Sequence, residues 1–330
     1  MRARLSSLRR SLFALMALAL SPLAGAVLLC TPTVSDINLG LISPDSSATY
    51  SASGSVRIDC SGGAANSTVH TCLPLGATDI IGSSRELVGT NGKIPYNLFI
   101  DAEHTQIWGG LNTLIRYMPP VYSLGLDQQG GASLTVPMYA FAPKPPAATP
   151  SGSYVDLQRV NDVMLKFAAS LGGTTPDCET LHSPNPQYTQ FAVAANVDPQ
   201  CRASATDLDF GVADDLNYGN TPLYTTSNIV VTCVSGVDYK IHIDGGTGLY
   251  ASMNYRLMTH RTGGPDTVNY QIYTDPAHTQ IWGNGNAGTS ERSGVGNGNP
   301  TSFTVYGKVD GQSTPQAGGY IDTLIVLVVY

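Results

Sequence analysis

At 330 residues with a formal net charge of −7, the chain is acidic, and only 12% of its residues are charged. Such a chain has no basic stripe on which a nucleic acid could lie, which excludes that class of partner. Thirty-five glycines, abundant Ser, Thr and Asn and frequent β-branched residues and Tyr argue for short strands joined by turns and against a helical bundle.

The first segment sets the compartment. Arg2, Arg4, Arg9 and Arg10 precede an apolar run from Leu12 to Leu20, then Ser21-Pro22 and the small residues Ala24-Gly25-Ala26. That order is a secretory signal peptide over residues 1–26, with cleavage expected after Ala26. The apolar run is too short for a permanent membrane span. Cleavage removes four arginines and no acid, so the charge moves from −7 to −11. The remaining length suits two small β domains.

Six cysteines follow, at positions 30, 60, 72, 178, 201 and 233. An even number in an exported chain fits an oxidising compartment. None forms a Cys-x-x-Cys pair, so neither a zinc ribbon nor a thioredoxin-type site has support.

The chain repeats itself. Tyr96–Gly109, ending His104-Thr105-Gln106-Ile107-Trp108-Gly109, matches Tyr270–Gly283, ending His278-Thr279-Gln280-Ile281-Trp282-Gly283. The two tryptophans are the only ones present. Leu134–Tyr139 matches Phe303–Gly307, and Tyr154-Val155-Asp156 matches Tyr320-Ile321-Asp322. Cys30 and Cys60 are spaced much as Cys201 and Cys233 are, so each pair is expected to form a disulfide. Cys72 and Cys178 are left to pair with each other. A period this long is a duplicated domain, not a solenoid.

In the second copy, strands are predicted over 228–234, 237–244, 255–259, 270–273, 302–309 and 320–330, punctuated by Gly-Gly turns. Alternation of Tyr239, Ile241 and Ile243 with Lys240 and His242 places one face in a core. The expected fold is all-β, with two immunoglobulin-like β-sandwich domains at 27–185 and 186–330.

Read in order, Asp207–Gly211, Ile229–Cys233, Tyr270–Asp275 with Trp282–Gly285, Phe303–Gly307 and Gly318–Thr323 resemble the spore coat protein U-like domain. Domains of that family are subunits of archaic, Csu-type, chaperone–usher pili. The match runs over 201–330. The first half is similar more loosely, through Asn38-Leu39-Gly40, Val56–Cys60, the Tyr…Trp-Gly motif and Tyr154-Val155-Asp156, and it departs after Trp108.

The resemblance implies a sandwich that lacks its last strand and receives one from a neighbour by β-strand addition. It implies as partners a periplasmic chaperone, an outer-membrane usher and an adjacent pilin subunit. The end of the chain is apolar on both faces, a hazard if left uncovered. Ile321, Thr323, Ile325, Leu327, Val329 and Tyr330 are therefore the expected groove for a donor strand or chaperone. Only Val27, Leu28 and Leu29 stand between Ala26 and Cys30, too few for a donor strand. That points to a tip adhesin on the cell surface, serving attachment and biofilm formation, with a shaft or coat subunit as the alternative. Phe191–Val197 either completes the first domain in cis or begins the second.

Between Trp108 and Leu134 the first copy is apolar where the second is glycine-rich. Leu114, Ile115, Tyr117, Met118, Pro119, Pro120, Val121, Tyr122 and Leu124 form the candidate adhesive loop. The alternative is that Leu111–Tyr117 make an extra core strand. No nucleophile elbow, zinc helix motif, P-loop or dinucleotide fingerprint occurs, so no catalytic residue, metal or cofactor is expected. His104 and His278 stand in a motif copied in both halves and read as structural. Asp101 and Asp275 are expected to shape turns.

Overall fold

The computed structural model describes residues 27–330 apart from 45–46, 76–79, 82–83, 112–116, 171, 173 and 220. The signal-peptide expectation at 1–26, and Leu114 and Ile115 of the candidate loop, lie outside the described residues. No α-helix occurs among those described.

The first half builds β1 (Leu29–Val34), β2 (Ile37–Ile42), β3 (Tyr50–Ser61), β4 (Thr68–Cys72), β5 (Ile80–Ile81) and β6 (Ser84–Val88). It continues with β7 (Lys93–Phe99), β8 (Val121–Gly125), β9 (Ala132–Ala142), β10 (Gly152–Ala169) and β11 (Gln187–Val197). The second half builds β12 (Cys201–Ala205), β13 (Leu223–Cys233), β14 (Asp238–Ile243), β15 (Arg256–His260) and β16 (Thr267–Tyr273). It ends with β17 (Arg292–Val295), β18 (Thr301–Val309), β19 (Tyr320–Ile321) and β20 (Val326–Val329).

Period-2 alternation decides which faces meet. In β11, Phe191, Val193, Ala195 and Val197 are buried, and in β14 so are Tyr239, Ile241 and Ile243. The pairing order in the first half is β1-β3-β9-β7-β6-β10-β11-β2, with β4 and β8 attached to the far part of β10. The second half has β12-β13-β18-β16-β15-β19 and, facing it, β17-β14-β20. Trp108 and Trp282 are fully buried, one in each core.

Two sequence expectations change in detail. The strand predicted over 320–330 is split, because the chain crosses there from β15 to β14. Asp322 turns inward to Tyr270, and the Ile325 N–H bonds the Asp244 carboxylate at 2.9 Å. The glycine-rich run after Trp282 contains β17, paired with β14 as β8 is paired with β4. Glycine hid that strand, since it carries no side chain to alternate.

β11 lies between β10, antiparallel, and β2, parallel. It hydrogen-bonds within the first half. The disulfides are Cys30–Cys60, Cys72–Cys178 and Cys201–Cys233. The first and third join directly paired residues of neighbouring strands. The second pins the segment ahead of β11 to β4, beside buried Leu181.

Only Asp198-Pro199-Gln200 separates β11 from β12. The loop between β9 and β10, with Pro143, Pro145, Pro146 and Pro150, leans on the second half. The Ser151 N–H donates to the Ser235 carbonyl at 3.2 Å. Gly298, at φ +78°, lies so close to Ala147 that a Cβ there would come within 2.0 Å of its carbonyl oxygen.

Replacing Cys72 and Cys178 together with Ala is expected to cost about 4 kcal/mol in the chain-entropy account of so long a loop. Calorimetry should show the first half unfolding earlier while the transition of the second stays in place.

Candidate functional site

Both cores carry a buried arginine that the repeat comparison missed. Arg85 and Arg256 are each 0% exposed. The Arg85 guanidinium donates to the carbonyl of Trp108 at 2.9 Å and of Leu75 at 3.4 Å. Arg256 donates to the carbonyl of Trp282 at 2.8 Å, of Asp244 at 3.0 Å through Nε and of Met253 at 2.9 Å. It also bonds Gln271 Oε1. Each indole N–H in turn donates to a main-chain carbonyl, Leu73 just past β4 at 2.9 Å and Ile241 within β14 at 3.0 Å. Burial pulls Arg256 down to about 10, the direction desolvation imposes on a cation.

A phenol–carboxylate pair completes the pattern. Tyr96 donates to Asp156 at 2.7 Å and Tyr270 to Asp322 at 2.8 Å. Burial first, then the neighbouring carboxylate, drives both phenols well above their ordinary value. Asp156 and Asp322 thus anchor the first residues of β10 and the chain just after β19.

The copied histidines are turn elements. His104 and His278 sit at φ +57° and +55°. Asp101 accepts the N–H groups of Thr105 and Gln106, and Asp275 those of Thr279 and Gln280. Each imidazole packs among three rings: Phe99, Tyr139 and Phe141, or Tyr224, Tyr273 and Tyr306. Among the described residues no group of three or more His, Cys, Asp or Glu is placed to hold a metal.

The two halves part at their last strand. β10 is flanked on one side by β6 and β4 and on the other by β11. Its counterparts β19 and β20 pair with β15 and β14 and, among the described residues, have no strand partner on the other side. Ile321, Thr323, Ile325, Leu327, Val329 and Tyr330 all present exposed side chains. The core-facing positions beside the open edge are Leu324, Val326 and Val328, half-buried. Across the opening lie Leu208 and Phe210, also half-buried and packed over Gly307.

The candidate adhesive loop divides. Leu124 is buried, Pro119 is buried and Pro120 half-buried. Val121 and Tyr122 begin β8, and burial pushes the Tyr122 phenol up to about 12. Tyr117 and Met118 remain 43% and 49% exposed, and Leu111 39%. The Tyr117 main chain rests on Gly109, where a Cβ would meet its carbonyl.

Arg256→Met should leave the Trp282, Asp244 and Met253 carbonyls without donors and cost about 3–5 kcal/mol. Chemical denaturation should show the loss in the second half alone.

The model of the Spore Coat Protein U domain matches residues 16–161 and again 187–327. No curated protein matches. Among solved structures, the CsuC–CsuE chaperone–tip adhesion subunit pre-assembly complex of Acinetobacter baumannii aligns at 15% identity and TM-score 0.48. That alignment covers 92% of this chain and 100% of the other. The CupB6 tip adhesin from Pseudomonas aeruginosa aligns at 10% identity and TM-score 0.41, over 91% and 93%. One copy of the family model falls on each half, and each half keeps the same arginine, tryptophan, tyrosine and aspartate pins. The chain belongs to the Spore Coat Protein U domain family.

Proposed function

We propose that the chain is the tip adhesin of an archaic chaperone–usher pilus, displayed on the cell surface for attachment and biofilm formation. The observation that carries this reading is the contrast between β10, paired on both sides, and β19–β20, paired on one. An apolar edge of that kind invites a strand from outside. The adjacent pilin subunit supplies it in the fibre, and a periplasmic chaperone covers the edge during passage to the outer-membrane usher.

The closed first domain favours a tip over a shaft position, because β11 already occupies the place a donor would take. On this reading the domains are 27–197 and 201–330, since cutting at 186 would separate β11 from the strands it pairs with. The adhesive face is the exposed apolar group Leu111, Tyr117 and Met118 beside the β8 edge. Its role is attachment and not catalysis.

Tyr117→Ser with Met118→Ser should reduce attachment per pilus on the order of tenfold, the worth of two partly buried apolar side chains. Pilus number and length by electron microscopy should be unchanged. Normal attachment by such pili would remove these residues from the adhesive role, and loss of piliation would assign them to folding.

A further inference from the structure

The first domain contains a template for what the second one lacks. We infer that the strand received by the second domain resembles β11 of this same chain in register and side-chain pattern, and that Asp207 accepts one of its main-chain N–H groups. This rests on the reading that the second domain is a strand acceptor, and it adds which strand fits.

Local geometry aligns the two openings independently of sequence similarity. On one wall, Ser35 Oγ accepts the Ser55 N–H at 2.8 Å, and Thr206 Oγ1 accepts the Asn228 N–H at 3.0 Å. Three residues on in each case, Asn38 Oδ1 accepts the Gly40 N–H at 2.9 Å, as Asp209 Oδ1 accepts that of Gly211 at 2.9 Å. Both glycines have positive φ, +78° and +75°. Asp36 and Asp207 stand at the same place between these marks.

On the other wall, Tyr154 donates to the carbonyl four residues back, Pro150, at 2.7 Å. Tyr320 does the same to Gln316 at 2.7 Å. Asp156 and Asp322 receive their tyrosine phenols, and Gly152 and Gly318 both adopt positive φ. Tyr154 therefore corresponds to Tyr320, and Gln158 to Leu324.

The register of β11 against β10 is fixed. Val197 lies opposite Gly152, Ala195 opposite Tyr154, Val193 opposite Asp156 and Phe191 opposite Gln158. Carried over, the incoming strand runs antiparallel to 320–324. It sets an aromatic side chain opposite Leu324, a β-branched one opposite Asp322, alanine opposite Tyr320 and a β-branched one opposite Gly318. The small residue is required where the tyrosine ring fills the layer; the Tyr154 ring already stands so close to Gly89 that a Cβ there would come within 2.7 Å. In the first domain the Ala192 N–H donates to Asp36 Oδ1 at 2.7 Å. Asp207, its counterpart, is exposed beside the opening.

The test appends a short Gly/Ser linker and a copy of residues 187–197 beyond Tyr330 of the full exported chain, since an antiparallel strand can fold back there. Light scattering after gel filtration and calorimetry supply the readouts. The copy should make the protein monomeric and raise the lower unfolding transition by about 10 °C or more. Exchanging Phe191 and Ala195 within the copy should abolish most of that rise. Asp207→Ala should lower it in the extended chain and leave the unextended chain unmoved, while Asp207→Asn, which keeps an oxygen acceptor, should retain most of it. An unrelated Val-Thr alternating strand is the control. Equal rescue by that control or by the exchanged copy overturns the inference and leaves strand acceptance standing. Equal effects of Asp207→Ala on both chains overturn the role of Asp207. An unextended chain that is already monomeric, cooperatively folded and unaffected by any extension overturns strand acceptance and the inference with it.

Discussion

A guanidinium with no exposure inside a β-sandwich is tolerable only if its donors are met, because an unpaired buried charge costs several kcal/mol. Arg256 finds acceptors on the end of β14, on the loop before β15 and on Trp282, three stretches that no ladder brings together. The cation thus does for the loops what the ladders do for the strands. Arg85 repeats the arrangement less completely: its terminal nitrogens reach Leu75, Asn97 and Trp108, while its Nε has no partner among the described residues. With the indole on one side and the phenol–carboxylate pair on the other, β10 in the first domain and the run from β19 in the second are held near their starts by polar bonds. Neither needs a further strand to be located, only to be covered.

Much of this was legible in the residues, and the illegible parts have physical reasons. Tryptophans and paired cysteines are rare, so one matched copy of each is enough to reveal duplication. The arginines escaped because Arg85-Glu86-Leu87 and Arg256-Leu257-Met258 share almost nothing but the cation, and an isolated arginine reads as surface. Alternation exposed β14 and β18, whereas β17 is built on Ser293-Gly294 and has no pattern to show. Phe191–Val197 is apolar at every second position, which fits the last strand of one sandwich or the first of the next equally well. Long-range pairing with β2, more than a hundred residues earlier, decides the matter, and no local signal carries it.

The apolar run after Trp108 shows the same limit from the other direction. Hydrophobicity marks it as unusual but does not separate a strand that buries Leu124 from the stretch ahead of it that exposes Tyr117 and Met118. Glycine makes that separation: Gly109 lets the Tyr117 backbone approach closely, while its counterpart Gly283 is approached by the side chain of Thr289 instead. Two copies of one scaffold thereby carry different surfaces from equivalent positions.

The junction between the domains has a mechanical side. A three-residue connection, a backbone hydrogen bond from Ser151 to Ser235 and the close seating of Gly298 against Ala147 leave little slack. Four prolines stiffen the loop that makes this contact, since each fixes its own φ. The two halves are therefore joined by a packed contact beside the tether, and a longer side chain at Gly298 would push them apart.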